Sequence, residues 1–282
     1  MGEFRVEPGS SGDVRAIQRR RRVDDVALRL SLESAERANA WVVRDAGEIV
    51  GIAVAHDSEE ERYVGDLFVE PSYRAHGLGA SLLEAAFAGG ELFRTMLVDP
   101  ADARALALAL RFRTTPRELV LRFAGALPKE EELARMAAGD YRFEVALIDA
   151  SAHGFALQEL DRRARGLARP ADHAAFARSA TGQAFFLNGE CVAYAYVWPD
   201  GRLGPLACAS EAYLVQIFAY ALVTLQRSFR ASWCTMLIPG SNRRIARSAL
   251  RAGLTIEETS VLATDSRSAD LSTYVGYHRL LL

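Results

Sequence analysis

One stretch constrains this chain more than any other: Val69-Glu70-Pro71-Ser72-Tyr73-Arg74-Ala75-His76-Gly77-Leu78-Gly79-Ala80. An alternating apolar run, 63–69, leads into it and predicts a strand; Pro71 opens a turn; residues 80–88 read as a helix stopped by Gly89-Gly90. The spacing of Arg74, Gly77 and Gly79, Arg-x-x-Gly-x-Gly, hands the strand to the helix through a glycine-punctuated turn. Such a turn exposes several backbone N–H groups at a helix N-terminus, which makes a seat for an anion, and a pyrophosphate suits it. Leu78, Leu82, Leu83, Ala86 and Phe87 repeat at helical spacing and face the sheet.

With 282 residues, 50% of them apolar, the chain has material for one or two domains with real cores. A net charge of −2 gives no reason to expect nucleic acid or an anionic membrane as partner. Cys191, Cys208 and Cys234 sit singly in apolar runs, without the paired spacing of a metal site, so buried reduced thiols and no metal are expected. The first residues lack a basic-then-apolar leader, and the longest apolar run, 212–225, contains Gln216 and is too short to span a bilayer. The expectation is a cytoplasmic protein, monomer or homodimer.

Before the turn, 4–7 reads as a strand, 8–12 as a turn cluster, and Asp13 as the cap of a helix with Val14 and Ile17 on one face. Residues Arg19, Arg20, Arg21 and Arg22 point around that helix and read as solvated surface rather than one basic face, leaving open that one of them meets an anionic group. Residues 41–55 predict a hairpin turning at 45–47. After the turn come a strand at 92–98, an Ala/Leu-rich helix at 101–110 and a strand at 118–123.

The phosphate turn resembles motif A of the GNAT superfamily, the acyl-CoA-dependent N-acyltransferases, whose pattern Arg/Gln-x-x-Gly-x-Gly/Ala is filled by Arg74, Gly77 and Gly79. The order strand, helix, three strands, helix, strand, helix, strand is also the GNAT order. The resemblance implies acetyl-CoA as co-substrate. Its pyrophosphate would rest on the backbone of Ala75, His76, Gly77, Leu78, Gly79 and Ala80, with Arg74 adding charge-assisted bonds or serving as a structural ion-pair former. The backbone of Leu67, Phe68 and Val69 would bind the pantetheine arm like another strand. Where the family places an Asn, a Tyr and a Gly in the next helix, this chain has Pro100, Ala107 and Arg111. The Tyr that usually protonates the leaving thiolate is therefore missing.

Strand alternation puts Asp66, Phe68 and Glu70 on one face and Leu67 and Val69 on the other. Asp66 and Glu70 are the candidate proton acceptors for the amine. A carboxylate paired for structural reasons is the competing reading of Asp66.

Beyond a polar joint at 127–132 the pattern recurs. Gly47-Glu48-Ile49-Val50 is echoed by Gly189-Glu190-Cys191-Val192, and Thr95-Met96-Leu97-Val98 by Thr235-Met236-Leu237-Ile238, each about 140 positions later. The expected architecture is α/β (α+β): two tandem GNAT-like domains, 1–126 and 127–282, each a mixed, mostly antiparallel sheet flanked by helices. In the second copy, strands are expected at 141–148 and 201–209, and a hairpin at 184–197 turning at Asn188-Gly189. A helical region is expected at 152–178, broken at Arg169-Pro170, followed by helices at 211–226 and 242–252 flanking a strand at 232–238. The second copy keeps the family's Asn as Asn242 and Gly as Gly253, but Ala249 stands at the Tyr position. Its junction, 204–211, has no Gly-x-Gly, has Pro205 without an N–H, and has Glu211 where a pyrophosphate would be repelled, so one coenzyme A per chain is expected.

The second copy is read as degenerate, with an acceptor-site or structural role. Its charged segment 161–173 supplies Asp161 and His173 as candidate acceptor-site residues, joined by Tyr194 and Tyr196 of the hairpin. The leading functional expectation is acetyl transfer to a primary amine of a small molecule or peptide. A coenzyme A-binding sensor or scaffold without activity, and a GNAT-like protein acting on a carrier-bound acyl thioester, are the competing ones.

Overall fold

Ser10 ends the first extended segment by capping a helix: its side chain accepts from the Asp13 N–H while the Asp13 carboxylate accepts from the Ser10 N–H, a reciprocal capping box. In the computed structural model, which describes residues 4–89, 91–266 and 270–279, strand β1 (Val6–Pro8) thus hands directly to helix α1 (Ser11–Arg21). The helix begins inside the stretch expected as a turn, and Asp13 is the third helical residue, the partner of the Ser10 cap, rather than the cap itself. Arg22 takes a left-handed conformation that ends α1. A second helix, α2 (Asp25–Glu36), follows with Asp24 as cap. Sequence periodicity did not separate it from α1.

The chain divides into two units, one made of residues up to Arg117 with Leu262–Ser266, the other of Glu118–Val261 with the segment that holds Tyr274. In the first unit the sheet runs β1, β2 (Ala40–Asp45), β3 (Glu48–Asp57), β4 (Glu61–Val69), β5 (Phe93–Val98), then the end of β12 (Thr255–Thr264). The β1 to β4 neighbours are antiparallel; β4 and β5 are parallel. Thr95 of β5 and Thr264 of β12 join their hydroxyls at 2.9 Å. Alternation along β3 sends Ile52 and Val54 to the α1 side with Val14 and Ile17. It sends Ala53 and Ala55 to the other side, under helices α3 (Leu78–Ala86) and α4 (Ala103–Arg111), where Val50 joins them because the register against β2 shifts from Val43↔Gly51 to Arg44↔Ile49. The expected core residues Leu78, Leu82, Leu83, Ala86 and Phe87 are all buried there. Gly89 has a left-handed backbone past the end of α3; Gly90 lies outside the described residues.

Strand β6 (Thr115–Ala126) enters the second unit at Glu118, and its residues Val120–Ala126 pair there with β11 (Trp233–Pro239). Helix α5 (Glu130–Ala137) forms where a joint was expected. Then come β7 (Glu144–Leu147), α6 (Ala150–Arg165), α7 (Pro170–Ser179), the hairpin β8 (Thr181–Leu187) and β9 (Glu190–Val197), β10 (Leu203–Cys208), α8 (Glu211–Phe229), α9 (Arg243–Arg251) and β13 (Tyr274–Val275). Asn188 and Gly189 both have positive φ, as a two-residue hairpin turn requires. The two tetrapeptide echoes fall on matching elements: the β2–β3 and β8–β9 hairpins, and strands β5 and β11. Among the described residues no helix is long and apolar enough to cross a membrane.

Candidate active site

A bulge shapes β4. Its register against β3 passes from Ala55↔Val64 to Val54↔Asp66, leaving Gly65 as the extra residue. The bulge puts Val64 and Leu67 into the same core, on the α3 side, and turns Asp66 and Phe68 toward α1. The predicted alternation of Asp66, Phe68 and Glu70 against Leu67 and Val69 is what the packing shows. On its other edge, β4 pairs with β5 from Glu61↔Phe93 to Val64↔Met96, and the pairing ends there. From Leu67 to Val69, β4 is therefore bonded to β3 alone among the described strands, and its second edge is open.

That open edge runs straight into the glycine turn. Glu70 N–H donates to the Val50 carbonyl at 2.9 Å, and a single 3-10 turn, Pro71–Tyr73, follows. Arg74 folds back, its Nε donating to the Val69 carbonyl at 3.1 Å. Ala75 (φ 69°) and Gly77 (φ 81°) are left-handed. Gly77 is the position where a side chain would be strained by backbone conformation, and it immediately precedes α3. The first N–H groups of α3, on Leu78 and Gly79, have no intrahelical acceptor and face outward at the positive end of the helix dipole. Ala80 differs from expectation: its N–H is bonded to the Gly77 carbonyl at 2.9 Å, so the free donors end at Gly79. His76 braces the turn through Nδ1, which lies 3.1 Å from the Arg74 carbonyl, and its ring meets Phe4 edge-on. Tyr73 donates its hydroxyl to Asp45 at 2.6 Å.

The two candidate carboxylates are both engaged. Arg21 grips Asp66 with two nitrogens, at 2.5 and 3.1 Å, and Gln18 adds a bond at 2.7 Å. The same Arg21 guanidinium lies 4.3 Å from the centre of the Phe68 ring. Arg20 donates to Glu70 at 2.8 Å and to the Ile49 carbonyl at 2.6 Å. Two members of the arginine run thus pair with carboxylates of β4: Arg21 from a half-buried position, and Arg20 while still 45% exposed. Sequence reasoning left open that one of the four meets an anionic group but could not say which, because a four-residue run covers every side of a helix and only the packing decides which members face the sheet. Ala107, at the family's Tyr position, is an exposed methyl on α4.

In the second unit, Asp161, His173, Tyr194 and Tyr196 do converge, in a fully buried cluster. His173 Nε2 lies 2.8 Å from Asp161 Oδ2, and its Nδ1 lies 3.1 Å from the Tyr196 hydroxyl. Tyr194 donates to Asp161, and Arg169, 1% exposed, donates to Tyr274 and pairs with Asp161 at 3.6 Å. Burial pushes the Asp161 carboxyl up, but Arg169 and the bonded His173 outweigh it and hold the group below the usual carboxylate value. Burial beside Asp161 pushes the Tyr194 hydroxyl well up. Arg169 lay inside the charged segment read from sequence; Tyr274 carried no sequence signal. The buried histidine, aspartate and tyrosines make a satisfied internal network, with Arg169 Nε and Nη1 as its unbonded polar atoms.

Residues 36–110, which contain β2 to β5, the glycine turn and most of α4, match the family model described as "Acetyltransferase (GNAT) domain". No curated protein matches the chain by sequence. Among solved structures, the fold is similar to that of a proposed acetyltransferase from Pyrococcus horikoshii (15% identity, 100% of this chain and 97% of that one, TM-score 0.73). It is also similar to a tandem GNAT protein from the clavulanic acid biosynthesis pathway (16%, 93% and 98%, TM-score 0.61). A third similar structure is a GCN5-related N-acetyltransferase from Sphaerobacter thermophilus (17%, 96% and 98%, TM-score 0.61). Residues 36–110 thus match the GNAT acetyltransferase domain, and the two-unit α/β fold of the chain is similar to that of a tandem GNAT protein.

Proposed function

We propose that the chain is an acetyl-CoA-dependent N-acetyltransferase that acylates a primary amine of a small molecule or peptide, with one coenzyme A bound in the first unit. The observation that carries this reading is the open edge of β4 at Leu67–Val69 running into free N–H groups at the start of α3. An extended pantetheine arm completes an unpaired strand edge, and a pyrophosphate satisfies helix-terminal donors. When bound, acetyl-CoA supplies the acyl group as a thioester. The backbone of Leu67, Phe68 and Val69 orients it, and an N–H on that edge donates to the thioester oxygen. Ala75, His76, Gly77, Leu78 and Gly79 hold the pyrophosphate through main-chain donors, and Arg74 adds positive charge beside them.

Asp66 and Glu70 enter this reading as anchors. Held by Arg21 and Arg20, they fix the half of β4 that β5 no longer supports. Asp66 is occupied by Arg21 and Gln18, and Glu70 by Arg20, so in this reading the amine gives its proton to water. The thiolate leaves without a side-chain acid on α4, where Ala107 stands.

A coenzyme A-binding sensor is the second reading, favoured by the exposed Ala107 and the engaged carboxylates. Thermal shift with acetyl-CoA followed by thiol release against an amine panel separates the two. A shift with turnover supports the transferase, and a shift without turnover on any amine supports the sensor. No shift counts against both.

A further inference from the structure

Strands β10 and β11 of the second unit begin as β4 and β5 do, side by side and parallel. Arg202 bridges Thr235, and the Thr235 N–H donates to the Gly201 carbonyl at 3.0 Å. In the first unit the corresponding strands then part and leave an edge open. In the second unit the gap is filled. Strand β13 lies antiparallel to β10, pairing Leu206↔Val275 and Ala207↔Tyr274. On its other side Gly276 exchanges two backbone bonds with Leu237 of β11, at 2.8 and 3.3 Å.

Side chains hold the insert from every direction. Asn242 caps α9 by accepting from the Ile245 N–H and donates its Nδ2 to the Tyr274 carbonyl at 2.9 Å. The Tyr274 hydroxyl accepts from Arg169. Tyr277 stacks on Trp198 with ring centres 4.1 Å apart. Gly204, at φ 126°, lets the Gly276 carbonyl approach so closely that a Cβ there would collide with it.

We infer that residues 274–277 are a built-in occupant of the second unit's inter-strand slot, standing where an extended pantetheine arm lies in the first; this rests on the reading of the β4 edge given above. The slot is a site for an extended chain, and its ligand is the protein's own segment 274–277, bound by strand addition. The Asn that the second copy retains, Asn242, holds that strand. The buried cluster of Asp161, His173 and Arg169 is closed by the same strand through Tyr274, which gives these charged residues a structural partner rather than a substrate.

Residue-resolved hydrogen exchange on the intact chain tests this. The Gly276 amide is expected to be protected to the level of the amides of β11. Exchange at the rate of an exposed loop overturns the proposal. Gly204→Ala is expected to speed exchange across 274–277 while leaving β4 and β5 unchanged. Should that variant not fold, Tyr274→Phe removes the acceptor of a charged donor with no backbone change. It is expected to speed exchange across 274–277 by roughly tenfold to a hundredfold. Unchanged exchange in the folded variant overturns the proposal. Protection of Gly276 in a chain that binds no acetyl-CoA keeps the inserted strand and removes the cofactor reading of the first unit.

Discussion

Arg21 Nη1 lies 2.5 Å from Asp66 Oδ2, and the same guanidinium covers the Phe68 ring two residues along β4. One side chain from the last turn of α1 therefore fixes the strand where its pairing with β5 has ended. The pair is only 21% and 11% exposed, between a surface ion pair and a buried one. Arg21→Ala is expected to cost about 2 kcal/mol in urea unfolding, and Asp66→Asn a similar amount. Because Asp66 is an anchor, the acid limb of the pH–rate profile of Asp66→Asn should keep its midpoint. A shifted or lost limb would make Asp66 the proton acceptor.

The two glycines of the turn should behave differently. Gly77 is left-handed, so Gly77→Val is expected to lose roughly 1–2 kcal/mol and the thermal shift with acetyl-CoA together. Gly79 lies within α3, and a methyl there would meet only Leu108 Cδ2 at 3.4 Å. Gly79→Ala should keep its melting temperature but weaken acetyl-CoA binding, because the added methyl crowds the approach to the free N–H groups. Melting curves with and without ligand check both.

Asp161 contributes a defined part of the acid dependence of the second unit. Its carboxyl is held below its ordinary value of 3.8 in the folded chain, chiefly by Arg169 and His173 against the effect of burial. A lowered folded value contributes stability that is complete above the ordinary value and is lost as pH falls through the folded one. Acid titration of the wild type should therefore show a loss of stability below about pH 4 that Asp161→Asn lacks. At neutral pH the same variant removes one of the two carboxylates that act on the buried Arg169, the other being Asp172, and is expected to cost about 3 kcal/mol.

Burial pushes the Cys208 and Cys234 thiols up to about 12 and Cys191 up to about 11. Cys208 and Cys234 are 0% exposed. Neither should react with iodoacetamide at pH 8 in the folded chain, and both should react once the chain is unfolded. Fast labelling of Cys234 in the native state would contradict the packing described for β11.

The glycine turn, the strand before it and the helix after it were legible in the sequence because each carries a local signature: alternation, punctuation and helical spacing. The repeat was legible because two tetrapeptides survived in equivalent strands. What escaped was set by distant contacts. The bulge at Gly65 and the grip of Arg21 on Asp66 depend on how α1 lies across β4, which no local pattern encodes. Strand β13 spans only Tyr274–Val275 and takes its conformation from β10 and β11, so nothing in its own composition announces it. Asp161, His173, Tyr194 and Tyr196 were picked out as chemically active types and do meet, but burial turns their meeting into a structural network.

The most direct test is calorimetric titration of the intact chain with acetyl-CoA. The open edge of β4 and the filled slot beside β10 together predict saturation at one equivalent per chain, abolished by Gly77→Val. Saturation at two equivalents, or no binding at all, would contradict the assignment of a single coenzyme A site to the first unit.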